Sequence, residues 1–199
     1  IALLSMVRGV FGLPATVSAL RAGNEKSFNN LNSSPKKYVT PYEFILKGKF
    51  LAVDVETTGL HVAESNIIQI ALVLFYNGEA VGKWIRYVNP GVLIPEEATR
   101  VHKITNNDLV NAPRFSEIAD ELHQIVTRYP LVAHNLEFDA KFIRREFERI
   151  NRTVFLKYGY CTMKRQFGYP KYQVNKQRYK KLSALAEELG IHTDRPWHD

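Results

Sequence analysis

The sequence predicts an α/β protein built on one mixed β-sheet with helices on both of its faces. Three strand-like apolar segments follow one another between positions 49 and 88, and Asn77-Gly78, a strong hairpin signal, separates the second from the third. Beyond position 95, helix-like and strand-like segments alternate, which is typical of helices packed on a sheet. With 45% apolar and 24% charged residues among 199, the chain has the composition of a globular protein.

The strands are predicted from runs of apolar and β-branched residues. Residues 50–53 (FLAV) are apolar without interruption, which is typical of a strand buried on both faces of a sheet. Two prolines, Pro90 and Pro95, end the first strand-forming region. The predicted strands cover residues 49–56, 66–76, 80–88 and 130–135.

The helices are predicted from apolar residues at helical spacing and from capping signals. Thr105 and Asp108 resemble a capping box, and Gly190 is well placed as a helix C-terminal cap. The predicted helices cover residues 96–103, a short segment after Thr105, 116–129, 136–151, 161–167 and 181–189, with a loop at 168–179.

Residues 1–48 are predicted to be an N-terminal extension and linker, and residues 49–199 to form the folded domain. Position 1 is Ile rather than an initiating Met, so we expect residues 1–48 to belong to a preceding region of a longer protein. The apolar segment at 1–20 is interrupted by Arg, Gly and Pro, and a membrane span is not expected. The single cysteine, Cys161, fits a reducing compartment, and a cytoplasmic location is expected.

The net charge of +7 is unevenly distributed along the chain. Residues 149–186 contain ten basic side chains and no acidic one, whereas residues 50–148 contain nine basic and fourteen acidic side chains. Five tyrosines are interspersed among the basic residues, at positions 158, 160, 169, 172 and 179. An acidic region beside a basic, tyrosine-bearing segment indicates a polyanionic substrate whose bases could stack on the aromatic rings, although a solvated lysine-rich loop is the simpler alternative.

Two acids stand at the end of the first predicted strand. Asp54 and Glu56 are two residues apart, and such residues project to the same side of a strand. Neighbouring carboxylates at a buried strand end repel each other unless a cation compensates them, and carboxylate oxygens are typical ligands of Mg²⁺ or Mn²⁺. Residues 57–59 (TTG) follow as a small polar turn where the backbone can approach a ligand. The alternative is a strand end whose acids only face water.

Four segments in this order resemble the DEDD superfamily of 3′–5′ exonucleases, in the branch whose last motif carries a histidine. They are DVETTG at 54–59, PEEATRVHKIT at 95–105, LVAHNLEFDAKFI at 131–143 and RPWHD at 195–199. Within that family they are most similar to the proofreading epsilon subunits of bacterial DNA polymerase III. The resemblance covers about residues 49–199 and implies a 3′–5′ exonuclease domain with a ribonuclease H-like fold.

The resemblance implies a site for two ions, Mg²⁺ or Mn²⁺, held by Asp54, Glu56 and Asp139. Asp139 lies in the first turn of a predicted helix, on the apolar side, and should point inward; a carboxylate favoured by the helix dipole is the alternative. His198 matches the general base that activates water. The family places a final acid five residues after this histidine. Asp199 is therefore not the expected ligand. We expect the fourth carboxylate beyond residue 199, and weak hydrolysis or none without it.

The resemblance also implies contacts with the 3′-terminal nucleotide. Glu97 and His102 match nucleotide-contacting positions, with ordinary helix-surface polarity as the alternative. His134 and Asn135 could do no more than hold the start of the Asp139 helix. The full predicted substrate-binding set is Thr57, Thr58, Gly59, Glu97, His102, Asn135 and Phe138.

The function implied is hydrolysis of DNA from its single-stranded 3′ end, releasing nucleoside 5′-monophosphates in proofreading or repair. A DNA polymerase or helicase is the expected protein partner. One alternative is an RNA-trimming exonuclease of the oligoribonuclease or RNase T type, since the metal site itself does not separate DNA from RNA. The other is an inactive binding module of a polymerase or helicase assembly.

Overall fold

A computed structural model describes residues 47–164, 166–167, 180–188 and 190. The predictions for residues 1–46, for the loop at 168–179 and for His198 lie outside these residues. The strands are β1 (Lys49–Thr57), β2 (Ile67–Tyr76), β3 (Glu79–Tyr87), β4 (Leu131–Ala133), β5 (Tyr158–Cys161) and β6 (Gln166–Phe167). The helices are α1 (Glu96–His102), α2 (Asn106–Leu109), α3 (Phe115–Val126), α4 (Leu136–Arg149) and α5 (Leu182–Glu188).

The strands form one mixed sheet in the order β3-β2-β1-β4-β5-β6. β1 pairs with β2 in antiparallel and with β4 in parallel orientation, so it lies inside the sheet with neighbours on both sides. Its apolar run, Phe50 to Val53, is fully buried, as expected for a strand covered on both faces. The predicted α/β architecture with a mixed sheet and helices is confirmed.

The hairpin between β2 and β3 turns at Asn77 and Gly78, as predicted. Both residues have positive φ, 50° and 78°, which is the conformation required by a tight two-residue turn that follows the twist of the strands. The turn sets the register in which Leu72 lies opposite Trp84. Both side chains are consequently buried in the main core.

The main core lies between the sheet and the two long helices, α3 and α4. Phe115 of α3 and Phe147 of α4 meet edge to face, with ring centroids 5.2 Å apart.

A smaller core holds Ile68, Ile94, Ile104 and Leu109 around α2. The predicted capping box begins α2: the Thr105 side chain accepts from the Asp108 N–H, and the Asp108 carboxylate accepts from the Thr105 N–H at 2.7 Å. The longest of the described helices, α4, lies against β1, β2, β4 and β5.

The helix predicted at residues 161–167 is wrong. Cys161 ends β5 opposite Ala133 of β4, and it also pairs with Gln166 of β6 in a hairpin. Thr162 donates its N–H to the Ala133 carbonyl at 3.0 Å, which extends the contact with β4 beyond the strand. The conformation of residues 161–167 depends on pairing with a strand that is distant in sequence. The spacing of apolar residues within the segment does not indicate that partner.

The other element boundaries differ from the predictions by three residues at most. α3 ends at Val126 rather than at 129, where the Thr127 side chain donates to the His123 carbonyl at 2.7 Å. α4 ends at Arg149 rather than at 151, because Asn151 turns into the left-handed region at φ 56°. Gly190 also has a positive φ, 63°, consistent with the predicted C-terminal cap. In the described part of the chain, no helix is both long enough and apolar enough to span a membrane.

Candidate active site

The end of β1 carries the predicted acid pair. Asp54 is exposed and Glu56 is half-buried, while Val55 between them is buried in the main core. The alternation places both carboxylates on the side of the strand away from that core, as predicted. The ionisation of Glu56 is affected by the charge of Asp54, so the two groups interact electrostatically.

Asp139 reaches this pair from the first turn of α4. Its side chain is buried, with 4% of the residue exposed, and its Oδ1 accepts a hydrogen bond from the Val55 N–H at 3.0 Å. The bond fastens the start of α4 to the strand segment between the two acids. The prediction that the Asp139 side chain points inward is therefore confirmed. Its position reflects a tertiary contact as well as the helix dipole.

The three carboxylates disfavour one another's charge. Burial, followed by the charge of Asp54, raises the pKa of Glu56 to about 7. Burial is also the main cause that raises the pKa of Asp139 well above its ordinary value; the charges of Asp54 and Glu56 add to it, and the Val55 N–H opposes it. A cation among these oxygens would reverse both shifts, because it stabilises the ionised forms.

Asp54, Glu56 and Asp139 offer carboxylate oxygens, which are the kind of ligand that Mg²⁺ takes in proteins. Within the described part of the chain, no three His, Cys, Asp or Glu side chains are arranged as a group that could hold a metal ion by themselves. Mg²⁺ is ordinarily held by one or two carboxylates together with water and substrate phosphates rather than by a closed protein cage. An open arrangement of Asp54, Glu56 and Asp139 suits that kind of binding.

The β1–β2 loop, residues 58–66, begins beside the acids. Thr58 donates its N–H to the Asn66 carbonyl at 2.9 Å, and its hydroxyl accepts from the Asn66 N–H at 3.0 Å. The Thr57 hydroxyl donates to the Gly59 carbonyl at 2.7 Å. A Cβ on Gly59 would lie 2.8 Å from Ser65 Oγ, so a larger residue there would require the Ser65 side chain to shift. Both threonine hydroxyls therefore brace the turn; direct contact with a nucleotide stays a prediction.

Asn135 and Phe138 stand next to Asp139. Asn135 has a left-handed backbone, with φ 66°, and its carbonyl accepts from the Phe138 N–H at 2.8 Å. The Phe138 ring is half-buried against Phe142, with centroids 4.7 Å apart. His134 Nδ1 lies 3.0 Å from the Thr162 hydroxyl, which joins the start of α4 to the turn after β5. These contacts support a role in holding the helix start, and contact with a nucleotide is untested.

Glu97 and His102 are both on α1. Glu97 is exposed and forms an ion pair with Arg100 at 3.4 Å. His102 Nδ1 accepts a hydrogen bond from the Ile104 N–H at 3.0 Å, which leaves the proton of the neutral ring on Nε2. These bonds are local to α1 and the residues after it, and the predicted role toward a nucleotide stays a prediction. His198 and Asp199 lie outside the described residues.

Glu146 was not predicted, although it is a buried acid near the same loop. With 5% of the residue exposed, it accepts hydrogen bonds from the Ile67 N–H at 3.0 Å and from Arg149 Nη1 at 2.7 Å. The sequence carried a signal for it. Glu146 falls on the apolar stripe of α4 with Ile143 and Phe147, and a charged residue in such a stripe requires a partner.

A known protein family matches most of this chain. The family model RNase_T, described as exonuclease, matches residues 51–199. The chain belongs to this exonuclease family. The chain is 37% identical over 97 residues to the DNA polymerase III subunit epsilon of Treponema pallidum, a match that covers 49% of the chain and 45% of that protein.

Two further proteins are similar to this member of the exonuclease family. A PolC-type DNA polymerase III of Staphylococcus aureus is 37% identical over 111 residues, which is 55% of the chain but 8% of that protein. A product-bound structure of exonuclease I matches with a TM-score of 0.60 at 19% identity, and the match covers 76% of the chain and 41% of that protein. The matched regions thus span less than half the length of each of these relatives, and the structural likeness shows a shared fold.

Proposed function

We propose that this chain is a divalent-metal-dependent 3′–5′ exonuclease that releases nucleoside 5′-monophosphates from single-stranded 3′ ends of DNA. The observation that carries the proposal is the hydrogen bond from the Val55 N–H to Asp139, which brings a buried carboxylate to the acid pair at the end of β1. Membership of the exonuclease family gives the reaction class.

Asp54, Glu56 and Asp139 are the groups that would hold the cations, Mg²⁺ or Mn²⁺ and two in number by family resemblance. Bound in this way, such ions supply Lewis-acid stabilisation of a phosphate and lower the pKa of water. The raised pKa values of Glu56 and Asp139 support this use, because a cation beside the two acids would stabilise their ionised forms and lower both pKa values. Asp139, which is bonded to the backbone, would stay fixed, while the exposed Asp54 could adjust to substrate.

His198 is proposed as the base that takes a proton from the attacking water. A histidine suits this step because its ordinary pKa of about 6.5 leaves the ring neutral and able to accept a proton at physiological pH. The assignment rests on family resemblance. Replacing His198 by Gln should lower kcat at pH 8 and leave the binding of single-stranded DNA unchanged, whereas Asp139→Asn should weaken metal binding as well.

The choice of DNA as substrate and a role in proofreading or repair follow from the named relatives. Both curated proteins reported above are DNA polymerase III components. We propose that the chain likewise works with a DNA polymerase, and that basic residues of the segment at 149–186 track the strand backbone. Arg149, Arg152 and Lys164 are not counted among them, because each forms an ion pair within the fold. The basic segment offers charge and aromatic stacking without base-edge readout, so little sequence preference is expected.

A direct test is release of mononucleotides from a 5′-labelled single strand in the presence of Mg²⁺, Mn²⁺ or EDTA. Stepwise shortening from the 3′ end, dependent on metal and abolished in Asp139→Asn, supports the proposal. Asn at this position retains an oxygen that can accept from the Val55 N–H, so the variant isolates the loss of the carboxylate. Shortening from the 5′ end, or activity in EDTA, would contradict it. A matched RNA strand in the same assay distinguishes DNA from RNA preference.

A further inference from the structure

Helix α4 holds the β1–β2 loop as well as the third acid. Arg149 Nη2 donates to the carbonyls of Val62 and Ala63, at 3.4 and 3.2 Å. Its other terminal nitrogen donates to Glu146 at 2.7 Å. Glu146 in turn accepts from the Ile67 N–H at 3.0 Å, where the loop ends and β2 begins. Two side chains one turn apart on α4 therefore fix three backbone groups of the loop and its exit.

The loop transmits this constraint to the acid site. Its base is closed by the two hydrogen bonds between Thr58 and Asn66, so a shift of the residues next to Asn66 would move Thr58 as well. Leu60 lies on the loop with 80% of its surface exposed, while Ser65 of the same loop is buried. The loop thus has a fixed base and presents an apolar side chain to its surroundings, next to the strand end that carries Asp54 and Glu56.

The ion pair is well shielded, since the Glu146 side chain is 6% exposed and that of Arg149 is 22% exposed. A buried ion pair contributes little to stability on balance, because desolvation of the two charges offsets their attraction. The planar guanidinium is suited to bridging a carboxylate and two carbonyls at once, which an ammonium group does less well. The pair therefore holds the loop in one geometry, while its net contribution to the free energy of unfolding is small.

We propose that Glu146 and Arg149 are positioning residues, which hold the β1–β2 loop as one wall of the site for the 3′-terminal nucleotide. This inference rests on the exonuclease function proposed above. The pair acts through the loop and does not itself touch the reacting phosphate. Loosening it should impair binding of the strand end more than the chemical step, because Asp139 is fastened separately, to Val55.

The experiment compares Arg149→Met, Arg149→Lys and a matched control, Arg145→Met, well below the melting temperature of each. Arg145 is on the same helix and pairs with Glu148 at 3.3 Å, but both side chains are substantially exposed. Arg149→Met should raise KM for single-stranded DNA about tenfold, as expected for loss of hydrogen bonds to a charged group, with kcat nearly unchanged. Arg149→Lys, which can still pair with Glu146, should recover part of the loss, and Arg145→Met should behave like wild type.

Equilibrium binding of a fluorescent single strand in Ca²⁺ provides a readout that does not require hydrolysis. The proposal is overturned if Arg149→Met lowers the melting temperature but keeps the wild-type KM and dissociation constant, since the pair would then only brace the fold. If a chain that also carries the expected fourth acid binds the strand without cleaving it, the exonuclease function is overturned, and the binding of the Arg149 variants then decides the positioning role alone. A wild type that neither binds nor cleaves overturns both.

Discussion

The N–H of Val55 and the carboxylate of Asp139 are 3.0 Å apart, although 84 positions separate the two residues in the sequence. Val55 lies between the two acids of β1, so this hydrogen bond fixes how closely the third carboxylate approaches them.

Asp139→Asn should abolish hydrolysis and leave the metal-free protein as stable as wild type or more stable at pH 8. The substitution removes an acid whose ionised form is disfavoured by burial and by the charge of Asp54, so the free energy of unfolding should not fall and should rise. Thermal melting in EDTA measures the stability, and release of mononucleotides in Mg²⁺ measures the activity. A variant that melts well below wild type would show that the ionised carboxylate stabilises the fold, contrary to this prediction.

The stability of the metal-free protein should fall as the pH rises from about 4.5 to about 7. Folding raises the pKa of Glu56 from 4.5 to about 7, so between these values the folded state binds a proton that the unfolded state has released. The contribution is expected to be on the order of 1–3 kcal/mol and constant above pH 7, with Asp139 acting in the same direction. Urea unfolding at several pH values measures it. Glu56→Gln should flatten the dependence, whereas Glu64→Gln, an exposed glutamate in the β1–β2 loop, should not.

Mg²⁺ or Mn²⁺ should raise the melting temperature more at pH 8 than at pH 6. Protons and cations compete for the same carboxylate oxygens, and Glu56 is protonated for the most part below its pKa of about 7. A ligand that binds only the folded state stabilises it in proportion to the logarithm of ligand concentration over Kd. Melting curves across a metal titration at both pH values give the comparison. Equal shifts at the two values, or shifts that persist in Asp139→Asn, would place the metal elsewhere.

Asn135→Gly should have a free energy of unfolding roughly 1–2 kcal/mol higher than that of Asn135→Val. The reason is that a β-branched residue is strained in the left-handed conformation at φ 66°. Asn151 at the other end of α4, with φ 56°, is a matched control for which the same order is expected. Chemical denaturation ranks the four variants. Loss of exonuclease activity in Asn135→Gly alone would assign the Asn135 side chain to the nucleotide rather than to the helix start.

Replacing Lys176, Arg178, Lys180 and Lys181 together by Gln should weaken binding of single-stranded DNA and flatten its salt dependence. Each phosphate neutralised by a basic side chain adds about 0.7 to the slope of log affinity against log salt for single strands. Binding measured over a series of NaCl concentrations gives the slope. An unchanged slope would mean that these residues form only a solvated segment.

The acid site could be predicted from the sequence because each of its residues lies in a short segment with a recognisable pattern. Asp54 and Glu56 end an apolar strand, and Asp139 falls on the inward side of a helix, so spacing and apolarity are sufficient to predict their directions. The tight turn at Asn77-Gly78 and the capping box at Thr105 are likewise local, and both are present. These features depend on residues that are within a few positions of one another.

The features that could not be predicted depend on distant partners. Residues 158–161 become a strand because β4 offers unpaired backbone groups, and nothing in the local spacing of a seven-residue window indicates that neighbour. The bonds of Arg149 to Val62 and Ala63 join residues more than eighty positions apart. A charged residue in an apolar helix stripe indicates that a partner exists, but only the fold identifies it.

The parallel pairing of β1 with β4 also bears on the order in which the protein can become active. β1, β2 and β3 are consecutive antiparallel neighbours and can associate early, because short connections close at little entropic cost. Leu51 meets Leu131 only after the intervening chain has been made and folded back, and such long-range contacts form slowly. A nascent chain that has completed only the first three strands has two acids and no third. The site with all three acids would therefore be completed late in folding, once α4 packs on the sheet.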